Sequence, residues 1–221
     1  MLWAILFSSH FFSQSDDQNK INVLIKEGVY LSDQGLIKES SKKLIQALEK
    51  SKEINYKYGI GYSSFHLAYN YSESQPAKSH KLASDALKIA EDINNKELES
   101  HSSALLGRVL QYLGDLERAL YFNFKALEIF KELKNNYYEI TTLIQISSIK
   151  SILYQYNEAS DYMKRAISKA KHSNNPELIL SAQYALSAIY ASQNKDDLSG
   201  PVVKTKSDLF LRCKSLIMPQ P

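Results

Sequence analysis

The chain has 221 residues, of which 27 are basic and 24 acidic, giving a net charge of +3 with the charges mixed along the sequence. That balance leaves no basic stripe for a phosphate backbone, which argues against nucleic-acid binding. A single cysteine, Cys213, excludes an internal disulfide framework and a cysteine-based zinc cluster.

The first fifteen residues, MLWAILFSSHFFSQS, carry no charged side chain, and an apolar run opens at Leu2. Ser13 and Ser15 are small residues two apart, just before DDQNK, as a signal-peptidase site requires. Two features depart from that pattern: no Lys or Arg stands near the start, and Ser8-Ser9-His10 interrupts the run. The expectation is a signal peptide over 1–15 and an exported protein, periplasmic or otherwise outside the cytoplasmic membrane. A retained segment would make it a cytoplasmic protein instead. The run is too short to span a bilayer, and nothing later approaches the roughly 20 apolar residues that spanning needs.

Residues 16–198 read as an array. Asparagine pairs begin at 94, 135 and 174, spaced by 41 and 39 residues. Asn is a poor helix-interior residue, because its amide competes for backbone hydrogen bonds, so a periodic pair marks boundaries. Other columns then fall into register. Ala47, Ala86, Ala126 and Ala166 are each followed by Leu48, Leu87, Leu127 and Ile167. Seven residues before each alanine stands another small side chain: Ser40, Ser79, Ala119 and Ala159. Ser40, Leu44, Ala47, Leu48 and Ser51 share one helical face, where small residues let a neighbouring helix approach closely.

Four repeats are expected at about 21–59, 60–98, 99–138 and 139–178, with the first helix of a fifth over 179–198. Each is a helix–turn–helix hairpin. Gly35 and Gly114 mark equivalent turns, where glycine takes a left-handed backbone at little steric cost. Pro76 opens a helix after the second turn, and Tyr154 occupies the corresponding place in the fourth. Gly28, Ala68, Gly107, Ser147 and Ser187 are small close-packing residues on the first helices. At the third junction, Asn135 or Asn136 is expected outside regular helix, with the next hairpin starting at 137–140.

The tail, 199–221, breaks the pattern. Gly200-Pro201 interrupts the helix where a second helix is due, and Val202-Val203 supplies no small-residue column. Residues 207–218 would form an improvised cap, or the chain is a piece of a longer protein. An array end left uncovered would offer a surface for self-association.

These repeats resemble tetratricopeptide repeats (TPR), whose pattern places Leu-Gly-x-x-Tyr on the first helix and small residues on the second. LGRVLQYLGDLERALYFNFKAL (106–127) is the best copy, and LAYNY (67–71) and LSAIY (186–190) repeat the Leu-small-x-x-Tyr element. The period is about 40 rather than roughly 34, the first-helix tryptophan is absent, and the asparagine segment replaces the closing proline. The resemblance implies an all-α, right-handed solenoid of antiparallel helix hairpins that binds a protein or peptide on an inner surface of first helices. In bacterial proteins that it resembles, an exported array precedes a membrane helix and then a histidine kinase or helix-turn-helix regulator. A sensory or interaction role follows by that likeness. The alternatives are a cytoplasmic peptide-binding regulator and an assembly scaffold without a discrete ligand.

Carried over residue by residue, the implied inner surface takes Asn22 from the first repeat and Tyr62, Phe65 and Tyr69 from the second. The third gives His101, Arg108, Gln111 and Tyr112; the fourth Thr141, Ser148 and Ser151; the fifth Tyr184. Tyr, His and Arg combine flat apolar area with hydrogen-bonding tips, and Arg108 suits a carboxylate on a ligand. No paired histidine spacing, Gly-rich phosphate loop or nucleophile elbow occurs, so no catalytic residue, metal or cofactor is expected.

Overall fold

The structure is a computed structural model, and it describes residues 2–173 and 176–196. The expected cap or truncation over 199–221 therefore lies outside the described residues. The described chain is all-α. Its helices are α1 (Leu2–Asp33), α2 (Ile37–Glu53), α3 (Lys57–Tyr71), α4 (Pro76–Asp92), α5 (Lys96–Tyr112), α6 (Leu116–Glu132), α7 (Asn136–Ile152), α8 (Tyr156–His172) and α9 (Pro176–Asp196). The chain divides after Asp115 into two compact units, α1–α5 and α6–α9.

Even-numbered helices behave as second helices, with one buried stripe each. The stripe on α2 is Ser40, Leu44, Ala47 and Ser51; on α4 it is Ser79, Ala83, Ala86, Leu87 and Ala90; on α8 it is Ala159, Met163, Ala166, Ile167 and Ala170. This spacing places an apolar band on one side and leaves the charged residues in water. First helices are buried on more than one side. On α5, residues from Leu98 to Leu110 are inaccessible in nearly every direction. Among the first helices, α3 lies between its own hairpin partner α4 and the neighbouring hairpin α1–α2.

Within the first unit, α1 packs on α2, α2 on α3, α3 on α4 and α4 on α5, while α1 also meets α3 and α3 meets α5. In the second unit α6 packs on α7, α7 on α8 and α8 on α9, and α7 meets α9. Small side chains set the close approaches. A Cβ added to Gly28 would stand 2.6 Å from Leu44 Cγ, and one on Gly61 would stand 2.7 Å from a Leu98 methyl.

The connections explain the period. At five of the turns, the second residue after the helix takes a positive φ: Gly35 (75°), Asn55 (53°), Asn94 (51°), Gly114 (83°) and Lys134 (54°). Tyr154 (59°) makes a sixth. In each, the following N–H reaches back five residues, as in Asn95 N to Ala90 O at 2.9 Å and Asn135 N to Phe130 O at 2.9 Å. This closure satisfies two carbonyls that a helix end would otherwise leave unpaired. The α3–α4 turn differs: Gln75 N bonds Tyr71 O at 2.9 Å and Pro76 takes the first helical position.

Because the closure is so tight, its last residue already stands at the N-cap of the next helix, and at Asn95 and Asn135 the side chain does the capping. Asn95 accepts from Leu98 N at 2.9 Å, and Asn135 accepts more weakly from Tyr138 N at 3.4 Å. Asn135 thus stands outside regular helix, and Asn136 is the first residue of α7. First helices begin at 57, 96, 136 and 176, three residues ahead of the expected boundaries at 60, 99, 139 and 179. The asparagine pairs are out of register by one. In 94–95 the first Asn is left-handed and the second is the cap; in 135–136 Lys134 is left-handed and the first Asn is the cap.

Some polar groups inside the packing are paired across helices, whereas the Ser63, Ser102 and Ser103 hydroxyls are buried without a hydrogen bond among the described residues. Asn70 on α3 donates to Ser40 Oγ at 2.7 Å and Ser41 Oγ at 3.2 Å on α2, and accepts from Ser32 Oγ of α1 at 2.8 Å. In the second unit, buried Glu139 on α7 meets Lys169 on α8 at 3.0 Å. Pairing of this kind avoids the cost of a desolvated, unmatched polar group.

Candidate functional site

In the first unit the first helices adjoin one another, so their shared face forms a continuous surface. All three contribute sequence-expected residues: Asn22 from α1, Tyr62, Phe65 and Tyr69 from α3, and His101, Arg108, Gln111 and Tyr112 from α5. None of these side chains is fully buried.

An aromatic row runs along α3 and crosses to α5. The rings of Tyr58 and Tyr62 stack with centroids 4.2 Å apart, and Tyr56 stacks on Tyr58 at 5.9 Å. Phe65 meets His66 edge-on at 4.9 Å and lies 5.9 Å from the His101 ring. Tyr58, Tyr62 and His66 are four residues apart, which puts them on one helical stripe. Tyr58 and His66 were not among the residues expected from sequence, although that four-residue spacing would have marked them.

Tyr58 is 40% exposed, but the row beyond it is partly desolvated. Burial, ahead of the influence of its hydrogen-bonding neighbours Asn95 and Tyr58, pushes the Tyr62 hydroxyl up to about 12. Burial, then the neighbouring His101, pulls His66 down to about 4, with Asp33 acting weakly against it. His101 is also lowered by burial, against the pull of Glu97. Both imidazoles are therefore neutral at pH 7 and present flat, weakly polar rings.

At the other end of the face, Arg108 of α5 lies with its guanidinium 5.0 Å from the centre of the Tyr69 ring. Its Nη2 donates to Ser72 Oγ at 3.4 Å, while Ser72 Oγ donates to the Tyr69 carbonyl at 2.8 Å. The Nε is buried and makes no hydrogen bond among the described residues. Tyr69 and Tyr112 are 50% and 58% exposed, so this end combines a held cation with open aromatic area.

Other expected residues are differently placed. Asn22 already accepts from the Tyr56 hydroxyl at 3.2 Å, which ties α1 to the start of α3. Thr141, Ser148 and Ser151 stand on α7 and Tyr184 on α9, all in the second unit. The Thr141 hydroxyl turns back to the Tyr138 carbonyl of its own helix at 3.1 Å. Among the described residues, no cluster of three His, Cys, Asp or Glu could hold a metal ion, and no helix is long and apolar enough to cross a membrane.

Repeated hairpins of this geometry define a TPR-like repeat protein. The chain is similar to BtubC (BKLC) from P. vanneervenii, with TM-score 0.71 and 15% identity over 97% of this chain and 92% of that one. It is also similar to a Rap protein complexed with competence and sporulation factor, with TM-score 0.69 and 22% identity over 87% of this chain. Aspartyl phosphate phosphatase F from Bacillus subtilis aligns with TM-score 0.69 and 21% identity over the same share. This chain spans about half the length of those two, 53% and 51%. No protein-family model matches the chain, and no curated protein matches it.

Proposed function

We propose that the chain is a non-catalytic binding scaffold whose first-helix face in the first unit takes a protein or peptide segment bearing a carboxylate beside an apolar side chain. The observation that carries this reading is Arg108, its guanidinium held against the Tyr69 ring beside exposed Tyr112, at the end of the face away from the aromatic row. Guanidinium pairs strongly with carboxylate, and the exposed rings supply flat area at low entropic cost. The Rap protein of similar fold, solved with competence and sporulation factor, supports a partner of protein or peptide nature and a regulatory setting. Panning a displayed random-peptide library against the full chain tests it. Recovered peptides are expected to carry Asp or Glu next to an apolar residue, and recovery with no such bias would count against the reading.

Export is proposed with it. First helices recur every 39 or 40 residues, and one period before Lys57 falls near Asp17, yet α1 begins at Leu2. The uncharged stretch over 1–15 is thus surplus to the repeat unit, which suits a segment removed on secretion. N-terminal sequencing of the mature protein decides: a start near residue 16 supports export, and a start at Met1 means a cytoplasmic regulator.

A further inference from the structure

A second surface in the first unit is built from other residues. A depression of about 560 Å³ lies between α2 and the α3–α4 turn, floored by Ile37, Ile45 and Tyr71. Lys38 and Lys42 stand at its edge, with Ser41, Gln46, Ser74 and Gln75 completing the lining. The apolar floor is open to solvent: Ile37 is 39% exposed and Ile45 38%.

The charge of this surface is one-sided. No carboxylate lines it; Glu39 and Glu73, neighbours in sequence, do not take part. Neither Lys38 nor Lys42 makes an ion pair among the described residues, unlike Lys43 on the same helix, which meets Glu27 at 2.7 Å. A third cation adjoins, since the Lys78 ammonium lies 4.0 Å from the centre of the Tyr71 ring. Apolar side chains, unpaired lysines and amide side chains sharing one depression match a helix or strand with acidic residues around an apolar anchor.

We propose that this depression is a second docking site, taking an acidic, apolar-anchored segment of a partner protein. Gln46 and Gln75 are placed to bond the segment's backbone, Ile37, Ile45 and Tyr71 to receive its anchor, and Lys38 and Lys42 to pair its carboxylates. It shares no lining residue with the first-helix face, so the two proposals stand or fall separately.

The test is an NMR titration of the ¹⁵N-labelled full chain with acetyl-Glu-Glu-Leu-Phe-Glu-Glu-amide, and with the same peptide carrying Lys for Glu. The acidic peptide is expected to shift residues 37–46 and 71–75 and the basic one to leave them still. A Lys38→Glu/Lys42→Glu variant should weaken the acidic peptide by about tenfold or more, with its melting curve unchanged because both side chains are exposed. Equal binding of the two peptides, unchanged binding by the variant, or shifts confined to other residues would overturn the proposal. Cosedimentation with phosphatidylserine vesicles that depends on Lys38 and Lys42, without peptide shifts, would overturn it in favour of a lipid surface.

Discussion

Ser79 Oγ donates a 2.6 Å hydrogen bond to the Ala68 carbonyl, joining α4 to α3 at the point where the two helices cross. The fourth hairpin makes the same bond in the opposite sense, Ser147 Oγ of α7 to the Ala159 carbonyl of α8 at 2.6 Å. All four residues are buried. A hydroxyl on a small side chain does two things here: it permits the close approach and it gives its own proton a partner. Ser79→Ala keeps the fit and loses the bond, so it should cost about 1 kcal/mol in denaturant unfolding. Ser79→Leu forces the helices apart and should cost about 1–3 kcal/mol.

Tyr154 holds φ +59° while 77% exposed, and its ring meets only the edge of Tyr156 at 6.1 Å among the described ring contacts. A left-handed backbone is costly for a side chain with a Cβ and nearly free for glycine. Tyr154→Gly should therefore stabilise the second unit by about 0.5–1 kcal/mol, despite the looser unfolded chain. Gly114→Ala, at φ +83°, should destabilise by about 1 kcal/mol. Paired thermal melts of the two variants, moving in opposite directions, check this.

Asn95 caps α5 through a 2.9 Å bond and also meets the Tyr62 hydroxyl, whereas the Asn135 cap on α7 is long at 3.4 Å. Asn95→Ala should cost about 1 kcal/mol and Asn135→Ala about half of that, read from chemical denaturation.

Stability should fall as the solution is acidified, through His66. Its folded-state value is near 4, below the ordinary 6.5, so the unfolded chain binds its proton first. The contribution is complete above about pH 6.5 and is lost progressively as pH falls toward 4. His101, lowered in the same direction, adds to the slope, while Asp33 and Glu97 act against the two shifts. The loss across that window should be about 1–3 kcal/mol. His66→Gln should flatten the curve of melting temperature against pH between 4 and 6.5.

How much of this was legible beforehand depends on whether the cause sits in one residue type. The small columns at 40, 79, 119 and 159 showed because close helix packing admits only Ser, Ala or Gly. Gly35, Gly114 and Pro76 showed because their backbone constraints are their own. Tyr154 could be placed only by its alignment with Gly35 and Gly114, and Lys134 was unreadable as a left-handed residue, since nothing in either side chain announces that conformation; the turn imposes it. The asparagine pairs measured the period and stand within a residue of the starts of α5 and α7, but the same residue type serves once as the left-handed position and once as the cap, so the pair alone does not fix the first helical residue. Arg108 and Tyr69 were each expected on the surface, but their stacking joins residues 39 apart in sequence. The lysine-edged depression likewise joins α2 to a turn some 30 residues later, and no local pattern signals it.

The Tyr69–Arg108 end of the first-helix face is proposed to bind a carboxylate-bearing segment. Calorimetric Kd values for a library-selected peptide, on the intact chain and on a Tyr69→Ala/Arg108→Ala variant with unchanged helicity, test it most directly. The paired substitution should weaken binding by roughly tenfold to a hundredfold. An unchanged Kd would contradict it.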